Sequence, residues 1–350
     1  MNFAASLRRA AAPTALALAT LLASCAPAPP PMITPPAPPP PAISLSPRVI
    51  EQASAYRAYI ARATAISPGF ADGESVAQGL KTGESYEPGQ LLRGAIAYGA
   101  VVALQDPAYV AGVRKFAGDA EQRRMVAYEV MKDPAYAVGF SGSAEAAGLV
   151  VAALAGDGRK LLEVGKTVKQ AAYDVQRSAW SKADVPGREG RLALAKQLSS
   201  TALIGETAET ARLQLAVTGS TPLGLTGETV SPPYTPLVIR SLAVAALAAL
   251  GYADDNSVAQ VTPMLDDPRG SKCFSLSKLN LYQCLAVSKP HYEDVFCLGQ
   301  HVLMDTGACL MQGAGVSSPL DIKPLPLPIA NAAAVPVKAK PKPKAKAKKK

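Results

Sequence analysis

Four cysteines, Cys273, Cys284, Cys297 and Cys309, share one short stretch, and with only two histidines in the chain they are the residues best placed to do chemistry. An even set of thiols can close two disulfides or contribute to a zinc site. Leu279, Leu281, Tyr282 and Leu285, then Val295, Phe296, Leu298, Val302 and Leu303, recur at helical spacing on either side of Ser288-Lys289-Pro290. That pattern predicts two helices joined by a turn. On a single helix Cys273 and Cys284 would stand about 16 Å apart along the axis. A disulfide allows Cα separations of only about 4.4 to 6.8 Å, so pairing them would require the helix to be absent. In an antiparallel hairpin the thiols nest instead, Cys284 opposite Cys297 and Cys273 opposite Cys309. The rival chemistry is metal binding: Cys297 and His301 are four apart, and Cys309 or Cys284 could add thiolates. No close-spaced Cys-x2-Cys pair accompanies them, so the expectation is two disulfides, no metal and no cofactor.

Other catalytic patterns fail on spacing. Gly165-Lys166-Thr167 would need a glycine at position 160 to make a phosphate loop, and Lys160 stands there. Ser275-x-x-Lys278 and Lys81-Thr82-Gly83 carry the residue types of penicillin-recognising enzymes, in reverse order and in helical territory. Gly139-Phe140-Ser141-Gly142-Ser143 lacks the last glycine of a nucleophile elbow. His291 follows a proline at the start of a helix, a surface or capping position. The expectation is a protein that is not an enzyme.

The fifth cysteine has a different setting. Arg8 and Arg9 precede an apolar run over residues 10–23, too short to span a bilayer comfortably, and Leu22-Ala23-Ser24-Cys25 follows. This ending resembles the lipobox of bacterial lipoproteins. The resemblance implies cleavage after residue 24, a lipid on Cys25, and, with Ala26 and Pro27 next rather than Asp, sorting to the periplasmic face of the outer membrane. An oxidising compartment agrees with disulfides at the other four cysteines. The nested arrangement also resembles helical hairpins stapled by twin Cys-x9-Cys motifs, although the intervening residues here number ten and eleven. The second interval is therefore off by about a third of a helical turn.

Composition constrains the elements that must position these residues. Aromatics make up 5% of the chain against 49% hydrophobic residues, dominated by alanine, so the core is expected to be helices packed through small side chains. The predicted class is all-α: an irregular multi-helix bundle, or a short array of helical hairpins, ending in the cysteine-stapled hairpin. Ser46-Pro47, Asp106-Pro107 and Asp133-Pro134 pair a capping residue with proline at the first helical position, and Thr235 caps the apolar segment 236–252. Asp119 with Gln122 reads as a capping box for a helix through Met131. Further helical signals run over residues 144–155, 159–180 and 191–217, and a loop rich in Gly, Pro and Thr occupies 219–234.

The organisation follows: a signal peptide over 1–24, a lipidated cysteine and proline-rich linker over 25–46, a helical body over 47–255, the four-cysteine hairpin over 256–313, and a Pro/Lys-rich tail over 314–350. Ten prolines between residues 27 and 41 preclude helix or sheet there and predict a polyproline II spacer. The net charge of +9 is concentrated in the tail. Eight of the 36 basic residues are Lys338, Lys340, Lys342, Lys344, Lys346, Lys348, Lys349 and Lys350, and two more leave with the signal peptide. What remains is 26 basic against 27 acidic residues, so no nucleic-acid-binding face is implied. A lysine run of this kind is expected to be disordered and to meet an anionic polymer, either lipopolysaccharide phosphates or peptidoglycan carboxylates. The expectation is an envelope tether between the outer membrane and that polymer; the alternative is a helical module that binds a protein partner in a periplasmic complex.

Overall fold

Proline behind a short oxygen-bearing side chain starts several helices. Ser46 Oγ, Asp106 Oδ1 and Thr235 Oγ1 accept from the backbone amides of Val49, Tyr109 and Val238, while Pro47, Pro107 and Pro236 take the first helical position. The computed structural model describes residues 39–320, and over this span the chain is all-α. Its helices are α1 (Pro47–Thr64), α2 (Gly73–Glu84), α3 (Pro88–Ala103), α4 (Pro107–Arg114), α5 (Ala120–Lys132), α6 (Ser143–Asp174) and α7 (Ala179–Lys182). There follow α8 (Arg188–Leu198), α9 (Thr207–Val217), α10 (Pro236–Leu250), α11 (Val258–Val261), α12 (Ser271–Val287), α13 (His291–Cys297) and α14 (Asp305–Gly313). No strand occurs among the described residues, only an isolated bridge between Asp184 and Pro290.

The bundle is irregular and is built around α10 and α3. From Leu242 to Leu250 every residue of α10 is buried, and Gly251 ends the helix in the left-handed conformation at φ 77°. Arg240, its one charge, donates to the carbonyl of Met264 at 3.1 Å. Helix α3 packs between α10 and α1, and α6 runs beneath them to carry the cysteine hairpin. Arg57 Nη1 and Tyr56 Oη on α1 reach Asp157 Oδ2 on α6 at 2.6 and 3.0 Å, which answers the one acidic side chain buried in the middle of α6. Among the described residues no single helix is long and apolar enough to cross a membrane.

Three segments differ from the sequence expectation. Residues 143–174 form one helix rather than two: in the expected gap at 156–158, Gly158 packs closely against Gly307 and Asp157 is held by Arg57 and Tyr56, and these contacts repay the low helix propensity of the segment. The predicted helix over 191–217 is broken at 199–206, where the Gln90 side chain bonds both the amide and the carbonyl of Leu203 at 2.6 and 2.8 Å and replaces helical bonds there. After Asp133-Pro134 the chain makes a 3₁₀ turn over Pro134–Gly139 before α6 begins.

The hairpin holds both disulfides in nested order, Cys273 to Cys309 and Cys284 to Cys297, with Cα separations of 5.6 and 5.8 Å. Its second arm is continuous from His291 to Gly313, but residues Leu298–Met304 are π-helical. A π turn holds about one residue more than an α turn. The extra residue between Cys297 and Cys309 is absorbed there, and both sulfurs keep facing α12. The same turn serves a second pairing. Gly158 and Gly165 of α6 are seven apart, while their partners Gly307 and Gly299 are eight apart. A Cβ on Gly307 would lie 2.5 Å from the Gly158 carbonyl oxygen, and one on Gly299 2.5 Å from the Lys169 amide nitrogen. We expect Gly307→Ala to destabilise the protein by about 2 to 4 kcal/mol in urea unfolding, because backbone has to move. Gly156→Ala, on α6, meets nothing within 4 Å and should stabilise by about 0.5 to 1 kcal/mol. Equal midpoints for the two variants would show that the α6 contact is not close-packed.

Candidate functional site

Helix α2 is placed by its N-cap and by its glycines. Asp72 accepts from the Ser75 amide at 2.8 Å and Ser75 Oγ accepts from the Asp72 amide at 3.3 Å. Leu298 and Val302 of the π segment press on Gly79 and Gly83. The π turn thus fixes the last residue of α2, Glu84. Around it lies a buried polar network. Tyr86 Oη meets Thr306 Oγ1 at 2.9 Å, Ser277 Oγ meets the same hydroxyl at 3.2 Å, and Ser277 donates to the His301 carbonyl at 2.6 Å. That carbonyl is one of those a π turn leaves outside the α pattern. Lys278 Nζ donates to the Glu84 carbonyl and stands 3.5 Å from the Tyr86 ring centroid.

A cleft of about 460 Å³ opens between α2 and α8, lined by Val76, Leu80, Glu84, Arg191, Leu285, His291 and Asp294 among others. Arg191 Nη1 engages both carboxylate oxygens of Asp294, and its Nη2 donates to the Leu285 carbonyl and to Ser288 Oγ. Ser288 Oγ donates to Asp294 Oδ1 at 2.8 Å. Burial lifts the Asp294 carboxyl above its ordinary value in spite of Arg191 and these bonds. Glu84 is 3% exposed, and burial raises its carboxyl from 4.5 to about 7. Lys278 and Arg191 oppose that rise, and the negative charge of Asp294 adds to it. Burial likewise lowers Lys278 from 10.5 to about 7 against the pull of Glu84. The arrangement can hold a ligand or a proton at Glu84. His291 lies at the edge with its ring against Gly73.

A larger groove of about 710 Å³ runs beside the Cys273–Cys309 bridge, walled by Leu92, Leu237, Phe274, Leu276 and Leu279. Its one buried acid, Asp267, accepts from the Arg269 amide at 3.1 Å.

The residues singled out in the sequence are distributed as follows. The four cysteines form the two bridges, and His301 Nδ1 pairs with Asp305 Oδ2 at 2.9 Å. No metal-holding cluster occurs among the described residues. Ser275 is exposed and donates to the Ser271 carbonyl, whereas Lys278 points into the Glu84 network, so the two are not joined as nucleophile and base. Gly165 is mid-helix against Gly299. Cys25 and the lysines from Lys338 to Lys350 lie outside the described residues. The cleft itself went unread in the sequence: Glu84, Arg191 and Asp294 come from three distant segments, and no spacing rule links them. Comparison with protein-family models, with curated proteins and with solved structures finds no match to the chain.

Glu84 and Lys278 give a pH signature of opposite limbs. Between pH 4.5 and about 7 the folded chain keeps a proton on Glu84 that the unfolded chain loses, so this term weakens as pH rises. Between about 7 and 10.5 the unfolded chain keeps a proton on Lys278 that the folded chain loses, so stability recovers as pH rises. We expect Glu84→Gln to flatten the fall between pH 5 and 7 by on the order of 1 to 2 kcal/mol, and Lys278→Met to flatten the recovery above 7. Denaturant unfolding at a series of pH values checks both, and slopes superimposable on the wild type would remove the two groups from the account.

Proposed function

We propose that the protein is a lipid-anchored, non-enzymatic envelope tether that links the outer membrane, through Cys25, to an anionic envelope polymer, through the lysines from Lys338 to Lys350. One observation carries the reading: the two flanking segments leave the body at opposite ends of its central helix. At the amino side, the Pro41 carbonyl and the Ala249 carbonyl share Arg114 Nη1 at 3.0 and 3.3 Å, and the Ser46 amide bonds the Ala253 carbonyl at 2.7 Å, all at the C-terminal end of α10. At the carboxyl side, Thr235 Oγ1 donates to the Gly313 carbonyl at 2.6 Å at the N-terminal end of α10, and Gln312 Nε2 donates to the Leu320 carbonyl at 3.2 Å, so the last described residue stays beside Gln312. The 15 residues of α10 separate these points by about 22 Å along its axis. A body that receives one tether at each end of its most buried helix acts as a strut, whereas a protein anchored only for localisation needs no such separation.

The linker and tail supply the two attachments by composition. Eight lysines can neutralise several anionic groups at once, and each contact stays solvated, so binding should weaken as salt shortens the Debye length from about 10 Å at 0.1 M to about 3 Å at 1 M. Purified peptidoglycan sacculi or lipopolysaccharide should sediment the intact chain at low salt and release it at high salt. Deleting residues 338–350 should abolish pelleting and leave the thermal midpoint unchanged. Cys25→Ala should move the protein out of the membrane fraction, with diacylglycerol found on Cys25 in the wild type by mass spectrometry. Equal pelleting of intact and shortened chains at low salt would overturn the polymer contact, and an unmodified N-terminus cut elsewhere would overturn the anchor.

A further inference from the structure

The cleft between α2 and α8 contains a carboxylate for which the protein supplies no donor. Every other buried acid named above has one: Asp157 has Tyr56 and Arg57, Asp267 has the Arg269 amide, Asp294 has Arg191 and Ser288, and Asp305 has His301 and Gln300. Glu84 lines the cleft, and its Oε2 is buried with no hydrogen-bond partner among the described residues. The ammonium of Lys278 goes to the Glu84 backbone carbonyl and the Tyr86 face, not to the carboxylate. A buried carboxylate without a donor is unfavourable by several kcal/mol, and a donor arriving from outside recovers part of that. The charged groups facing it are accounted for: Arg191 is committed to Asp294, Lys278 stands behind the cleft wall, and Glu74 at the opening adds negative charge. The rest of the lining is largely apolar, with Val76, Leu80 and Leu285, and side chains are missing at Gly187 and Gly190, where an added Cβ would meet nothing within 4 Å.

We propose that this cleft binds a small primary alkylammonium, its –NH₃⁺ group donating to the Glu84 carboxylate and its methylene chain lying along Val76, Leu80 and Leu285. A charge-assisted bond to carboxylate is about twice as strong as a neutral one, which sets an ammonium apart from an alcohol of the same shape. The site is independent of the tether reading.

The test titrates the full-length chain in non-ionic detergent with n-pentylamine, 1-pentanol and pentanoate, followed by calorimetry and by NMR. Pentylamine should bind at least about tenfold more tightly than pentanol, a difference of about 1.4 kcal/mol, and pentanoate should not bind. Glu84→Gln should abolish that preference. Gly190→Leu, which fills the cleft and leaves Glu84 in place, should abolish binding with the thermal midpoint kept, and Glu74→Gln should change affinity by less than about threefold. The titration is repeated on a chain lacking residues 338–350, since a tail lysine is itself a primary ammonium. If one occupies the cleft, the shortened chain binds pentylamine more tightly, and Glu84→Gln removes the gain. Pentanol binding as tightly as pentylamine, unchanged amine affinity in Glu84→Gln, or no amine binding by either chain would each overturn the proposal.

Discussion

A helix joined at two points to each of two neighbours must agree in length with both between the joints, and here it disagrees with each by one residue. The disulfides ask for equal intervals on α12 and its partner arm and receive eleven positions against twelve; the glycine contacts with α6 ask the same and receive seven against eight. A straight α-helix from His291 to Gly313 would turn one sulfur or one glycine about 100° away from its partner. The π segment over Leu298–Met304 removes both mismatches at once. Covalent bonds on one face and backbone contact on the other hold it there, which is how an otherwise poor hydrogen-bond geometry persists.

Much of the remaining core depends on that segment. Leu298 and Val302 seat α2, the Tyr86, Thr306 and Ser277 hydroxyls gather behind it, and Ser277 satisfies the His301 carbonyl. The position of Glu84, and so the cleft, follows from where α2 comes to rest. The polar interior beside the hairpin is thus a consequence of helix register more than of any local motif.

The class and the helix starts were legible in the sequence because capping and proline chemistry act within four residues, as at Ser46-Pro47 and Thr235-Pro236. The nested bridges were legible because a disulfide's short reach excludes pairing along one helix. Even the misfit of the second cysteine interval could be seen; its resolution as a π turn could not, since that depends on Gly158 and Gly165 of another helix. Glu84 was invisible for a related reason. Its environment is made by Lys278, Arg191 and Asp294, residues 107 to 210 positions away, and a lone glutamate at a helix end gives no local sign of burial. Gln90, which breaks the predicted helix near Leu203, is the same kind of long-range partner.

The outer bridge also limits how far the body can be drawn out. Between Pro41, which bonds Arg114, and Leu320, which bonds Gln312, a chain pulled from both ends would lengthen by roughly 3.3 to 3.6 Å per residue once unfolded. The 36-position separation closed by Cys273 and Cys309 takes no part in that extension, which removes about 120 Å of slack. With the bridge intact the hairpin behaves under tension as a single short link, and its reduction would turn the same segment into additional length.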